Sequence, residues 1–115
     1  MTLREAQSLH VRLTAILIDY IYQEGYEATW GETVRSKAQA EANAQSGAGI
    51  SNSLHLIGLA VDINLFKDGV YLPSTEAHAV FGAYWRSLHA LARWGGDFPH
   101  KPDGNHYSIT WEGRS

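Results

Sequence analysis

Hydrophobic residues recur with helical spacing along the first two dozen positions. Leu9, Leu13, Leu17 and Tyr20, joined by Ile16, share one face, so residues 3–24 are expected to form an amphipathic helix. Thr2 followed by Glu5 fits a capping box at its start, and Gly25 is a stop signal. "YEATWGETV" then reads as extended chain entering a sheet. Residues 35–45, "RSKAQAEANAQ", are rich in helix formers, and "SGAGISNS" after them is a loop of small polar residues. From Gly58 the period changes to two. Leu59, Val61 and Ile63 fall on one face of a strand, and Gly58, Ala60 and Asp62 on the other. "KDG" and "YLP" mark turns. Residues 75–92 predict a second helix with Phe81, Trp85, Leu88 and Ala92 in one stripe. "WGGDFPHKPDGN" is turn-rich. "HYSITW" alternates again, with Tyr107, Ile109 and Trp111 facing one way and His106, Ser108 and Thr110 the other.

These elements imply an α+β fold, with helices packed on one side of a small, largely antiparallel sheet and a cleft on its other face. No repeat or linker divides the 115 residues, so a single domain over 1–115 is expected. An apolar fraction of 44%, with four Trp and six Tyr, argues against disorder. A formal charge of −3 without any Lys/Arg run leaves no electrostatic footprint for nucleic acid or an anionic membrane. The apolar patch Leu13–Ile18 is bracketed by Arg12 and Asp19 and is too short to span a bilayer. The start lacks a basic segment and a cleavage site, so cytoplasmic synthesis without a signal peptide is expected, and a monomer. There is no cysteine, which excludes disulfides and thiolate metal sites. Any metal must be held by carboxylates and by some of the six histidines.

Asp62 and His106 each sit on a strand face opposite an apolar one, and a bend at Gly58 could return His55 to the same point. Two imidazoles and a carboxylate with an open fourth position are the usual shell of a hydrolytic zinc. Asp103, three residues before His106 on a "PDGN" turn, is placed to serve as general base. On spacing alone, a capped turn and a solvated carboxylate remain the alternative.

The stretch "SLHLIGLAVD", residues 53–62, resembles the SxHxxGxAxD motif of the zinc D-Ala-D-Ala carboxypeptidases and L-alanyl-D-glutamate endopeptidases, the LAS or M15 peptidases. Phage endolysins and VanY-like and VanX-like enzymes belong to that group. "RSKAQ" at 35–39 is similar to the family's upstream Arg-Ser-x-x-Gln segment. "WGGDF" followed by "DGNHY" resembles its WGGDW-type stretch and Asp-x-x-His-aromatic. The resemblance covers residues 35–107. It implies a hedgehog/DD-peptidase-like fold with Zn2+ held by His55, Asp62 and His106, and Asp103 as catalytic acid/base. It further implies that Arg35 holds the substrate and polarises or anchors its carboxylate or carbonyl, a task suited to a guanidinium fork. Ser53 would hydrogen-bond near the site. The plain alternatives are a salt-bridging arginine at a helix start and a loop-turn serine. The implied activity is hydrolysis of a peptide bond in the peptidoglycan stem peptide, either L-Ala-D-Glu or D-Ala-D-Ala. The enzyme would act on the cell wall after release by host lysis, as an endolysin-like single domain without a wall-binding module. A catalytically inactive, metal-stabilised phage structural or wall-binding module is the rival reading.

Two departures stand out. Relatives often follow the last histidine with an aromatic residue and then Glu, where this chain has Ser108, and "TWGETV" lacks the family's Gly-Tyr-type approach. "DFPH" at 97–100 repeats the Asp-x-x-His form and makes His100 a competitor of His106. His106 is preferred because it opens an alternating strand, while His100 leads into Lys-Pro-Asp-Gly, which is turn chemistry. His10, His78 and His89 read as surface or packing histidines, Trp85 and Trp94 as core or groove wall, and Asp97 as a residue ordering its turn.

Overall fold

The computed structural model describes residues 1–33 and 54–115. The expected helix at 35–45, the loop after it, Arg35 and Ser53 lie outside the described residues. The elements are α1 (Leu3–Gln23), β1 (Glu27–Trp30), a short 3-10 turn (Leu54–Ile57), β2 (Ala60–Lys67), β3 (Val70–Tyr71), α2 (Thr75–Leu88), β4 (Ala92–Trp94), a second 3-10 turn (Gly95–Asp97) and β5 (His106–Ile109). The strands form one sheet in the order β1-β2-β5-β4, with β3 also paired to β2, and every pairing is antiparallel. This is the expected α+β arrangement.

The capping box is present: the Glu5 N–H donates to the Thr2 hydroxyl, and the Thr2 N–H donates to the Glu5 carboxylate. The buried stripe of α1 is rotated from the one the hydrophobic pattern suggests. It runs through Ala6, His10, Leu13, Thr14, Leu17 and Ile21, while Ile16 is 39% exposed and Leu9 and Tyr20 are half-buried. The two polar members are tolerated because they are satisfied. The Thr14 hydroxyl donates to the His10 carbonyl, and His10 Nε2 donates to the Tyr107 carbonyl at 3.0 Å.

The second helix stops four residues earlier than expected. His89 is extended, its Nδ1 accepts the Leu91 N–H, and Ala92 pairs with Ile109 as part of β4. "LHALARW" favours helix locally, but pairing with β5 overrides that preference. β3 is a further strand that the pattern leaves unmarked, since it is two exposed residues long. It is closed onto β2 by Asp68-Gly69, both at positive φ as a two-residue hairpin turn requires.

The core lies between the sheet and the two helices. Leu13, Leu17 and Ile21 of α1 and Phe81 and Trp85 of α2 meet Val61, Ile63 and Leu65 of β2 and Tyr107 and Ile109 of β5. Alternation then leaves Asp62, His106 and Ser108 on the opposite face.

Candidate metal centre

The β2–β5 register sets Asp62 opposite His106 and Ala60 opposite Ser108. His55 arrives from outside the sheet. Gly58 takes a left-handed φ of 71°, open to glycine, and turns the 3-10 segment back on the strand that follows. The Leu59 N–H donates to the Leu54 carbonyl and the Gln7 amide to the Ile57 carbonyl, fixing that bend against α1. His55 is thereby 3% exposed, with Nε2 3.3 Å from Asp62 Oδ1. His106 Nδ1 lies 3.5 Å from the same oxygen, and the two imidazole centroids are 5.1 Å apart.

One ligand atom from each of His55, Asp62 and His106 lies within 4.8 Å of the others. Asp62 Oδ1 is buried and makes no hydrogen bond among the described residues despite its proximity to both rings. The three donor atoms thus converge on a common point rather than on one another, and their nitrogen–oxygen composition fits a zinc-type divalent cation. Burial disfavours the charge on Asp62, but His106 and His55 outweigh it and hold the carboxyl at about 2. Burial likewise opposes a charged His55, yet Asp62 and then the Thr33 carbonyl raise its pKa above the ordinary value. His55 Nδ1 donates to that carbonyl at 3.0 Å, which puts the proton on Nδ1 and the ligand lone pair on Nε2.

Asp103 stands beside this group on a loop tied down at several points. Its N–H donates to the Gly95 carbonyl, its own carbonyl accepts the His106 N–H, and the Trp94 indole N–H donates to the Gly104 carbonyl at 2.7 Å. A side chain at Gly95 would run into the Asp103 carbonyl and His106 Cβ, so the first glycine of "WGGD" is what lets the loop close on the strand. The side chain keeps an exposed edge. Loss of hydration, reinforced by the charge of Asp62, raises its pKa, the direction that suits a proton carrier.

His100 is exposed and takes no part in the three-ligand group. Asp97 ties its 3-10 turn to α2 and stands outside the three-ligand group. Its carboxylate receives Arg86 Nη1 at 2.6 and 2.7 Å on the exposed flank of α2. His78 is buried with Nδ1 2.7 Å from the Tyr107 hydroxyl, and Trp85 and Trp94 are buried. Thr33 escaped sequence reasoning because it acts through its carbonyl, a group every residue carries.

A family model described as D-alanyl-D-alanine carboxypeptidase matches residues 45–109. The L-alanyl-D-glutamate peptidase of Listeria phage A118 is 33% identical over 84% of this chain, which spans only 35% of that relative's length. Among solved structures, the Serratia marcescens L-Ala D-Glu endopeptidase ChiX superposes with a TM-score of 0.77 at 24% identity, covering 94% of this chain and 83% of its own. The vancomycin-resistance D,D-pentapeptidase VanY, in complex with Zn(II), superposes at 0.60 with 18% identity, covering 87% and 70%. Both share the fold. With the family model covering more than half of its length, the chain belongs to the M15 peptidase family.

Proposed function

We propose that the chain is a zinc-dependent peptidase that hydrolyses a peptide bond in the stem peptides of bacterial peptidoglycan. The observation that carries this reading is the buried convergence of His55 Nε2, Asp62 Oδ1 and His106 Nδ1 beside the carboxylate of Asp103. Zinc bound by these three residues supplies Lewis acidity toward the scissile carbonyl and lowers the pKa of a water. The Asp103 carboxylate accepts the proton of the attacking water and returns it to the leaving amine, and its raised pKa assists the second transfer. The Thr33 carbonyl keeps the proton of His55 on Nδ1. Arg35 holds the substrate's carboxylate or carbonyl, and Ser53 hydrogen-bonds beside the site.

The bond between L-Ala and D-Glu is the preferred target, because the named phage relative at 33% identity is an L-alanyl-D-glutamate peptidase. The D-Ala-D-Ala bond is the second reading, favoured by the description of the family model. In either case the chain works as a monomer on the cell wall, without nucleic acid or membrane, in the manner of a phage endolysin. Mass spectrometry of muropeptides digested by wild type and Asp103→Ala, with zinc content measured on both, tests the reading. One zinc per chain in both and new termini from wild type alone would support it. Zinc without turnover in either would leave a metal-stabilised module instead.

A further inference from the structure

Given His55, Asp62 and His106 as metal ligands, we propose that Ser108 is a positioning residue for His106, joined to it through one buried water. The two histidines treat their outer nitrogens differently. His55 has Nδ1 on the Thr33 carbonyl and turns Nε2 toward Asp62. His106 turns Nδ1 toward Asp62, so a ligand lone pair there requires its proton to sit on Nε2. That nitrogen is buried and has no hydrogen-bond partner among the described residues.

Ser108 Oγ is in the same condition. The residue is 0% exposed and its hydroxyl is also without a partner among the described residues. A buried donor left alone costs about 1–3 kcal/mol, and buried polar groups in native proteins find a partner in protein or in water. His106 and Ser108 are two residues apart on one face of β5, which separates their backbones by roughly 6.6 Å. One water, with hydrogen bonds of about 2.8 Å on either side, links polar atoms up to about 5.6 Å apart, a reach that suits two side chains leaning toward each other from these positions. Ala60 stands opposite Ser108 on β2, and its methyl group is the smallest side chain that could face it there apart from glycine's hydrogen. In this arrangement His106 Nε2–H donates to the water, and the water and the Ser108 hydroxyl share the remaining bond. The consequence is a fixed tautomer and ring orientation, with Nδ1 kept free for the metal.

Zinc affinity measured by competition with a chromophoric chelator separates the possibilities. Ser108→Ala is expected to bind zinc about tenfold more weakly than wild type. The metal-free variant is expected to unfold cooperatively like wild type, so that weaker zinc binding is read on a folded protein. Equal zinc affinity in the two proteins overturns the proposal and leaves the metal site standing. Failure of wild type to take up zinc overturns the metal site itself, and the role of Ser108 with it. Nitrogen NMR on zinc-loaded wild type gives a check without a variant. A slowly exchanging Nε2–H on His106, with transfer to a long-lived water, supports the link, whereas exchange at the rate of a solvent-exposed imidazole overturns it.

Discussion

Asp62 and His106 face each other at a position where their two strands exchange no backbone hydrogen bonds. The Asp62 N–H donates to the Glu32 carbonyl and its carbonyl accepts the Gly31 N–H, both on the far side of β2, while the neighbouring Ile63 N–H goes to Asn105. Antiparallel pairs of this kind bring side chains closer, with backbones about 4.5 Å apart rather than about 5.5 Å. Asp62 Oδ1 is thereby held 3.5 Å from His106 Nδ1. A slip of one residue would turn Tyr107 toward the site and drive His106 into the core. The register that builds the core therefore also brings the proposed metal ligands together.

Zinc added to the metal-free protein is expected to raise its melting temperature, by the equivalent of about 2.7 kcal/mol at a hundredfold excess over Kd. Asp62→Ala removes the central ligand, so the same titration should produce no shift. Calorimetry of both proteins with and without a chelator measures the difference.

The two Asp-x-x-His segments are expected to behave differently. Asp103→Asn should lower turnover of muropeptides by about 10²–10⁴ with zinc retained, the usual scale for a lost acid/base group. Asp97→Asn removes an exposed partner of Arg86, and should cost no more than about 1 kcal/mol and leave turnover unchanged. A loss of turnover in Asp97→Asn alone would reverse the assignment.

Gly95→Ala places a methyl group against the Asp103 carbonyl and His106 Cβ, both of which bear on the site. The expected cost is about 1–3 kcal/mol of stability, accompanied by weaker zinc binding, because relief of the clash displaces a ligand strand or the acid loop. Denaturant titration and zinc competition on one preparation would read both effects.

Acid sensitivity is expected from His78. Burial lowers its pKa from 6.5 to about 4. The unfolded chain therefore takes up the proton first. The stability due to neutral His78 is complete above pH 6.5 and is lost as pH falls toward 4, by about 3 kcal/mol in total. Unfolding of metal-free wild type across this range should show the loss. His78→Leu with Tyr107→Phe should flatten the slope, since the pair then leaves no lone hydrogen-bonding group behind.

Much of this was legible in residue spacing. The capping box of α1 and the period-two run from Leu59 to Ile63 are local patterns, and they foretell the helix and strand that carry the site. Gly58 marks the bend that returns His55, because few other residues adopt its φ. Propensity misreads the end of α2: Ala92 suits a helix, but its partner Ile109 lies seventeen positions further along, beyond the reach of any local helical pattern. The rotated stripe of α1 is hidden for a similar reason, since His10 is admitted to the interior by a carbonyl at Tyr107. Thr33 and Gly95 work through backbone atoms and close approach, which side-chain identity reports only indirectly.

Trp94 ties these observations together. Its ring is held between Gly82 on α2 and Gly96, with the Arg86 guanidinium over it, and its indole N–H reaches the residue next to Asp103. The loop bearing the acid is in this way rooted in the interior and is a bracket rather than a lid. On heating, Asp103 is therefore expected to lose its position only together with the tertiary structure.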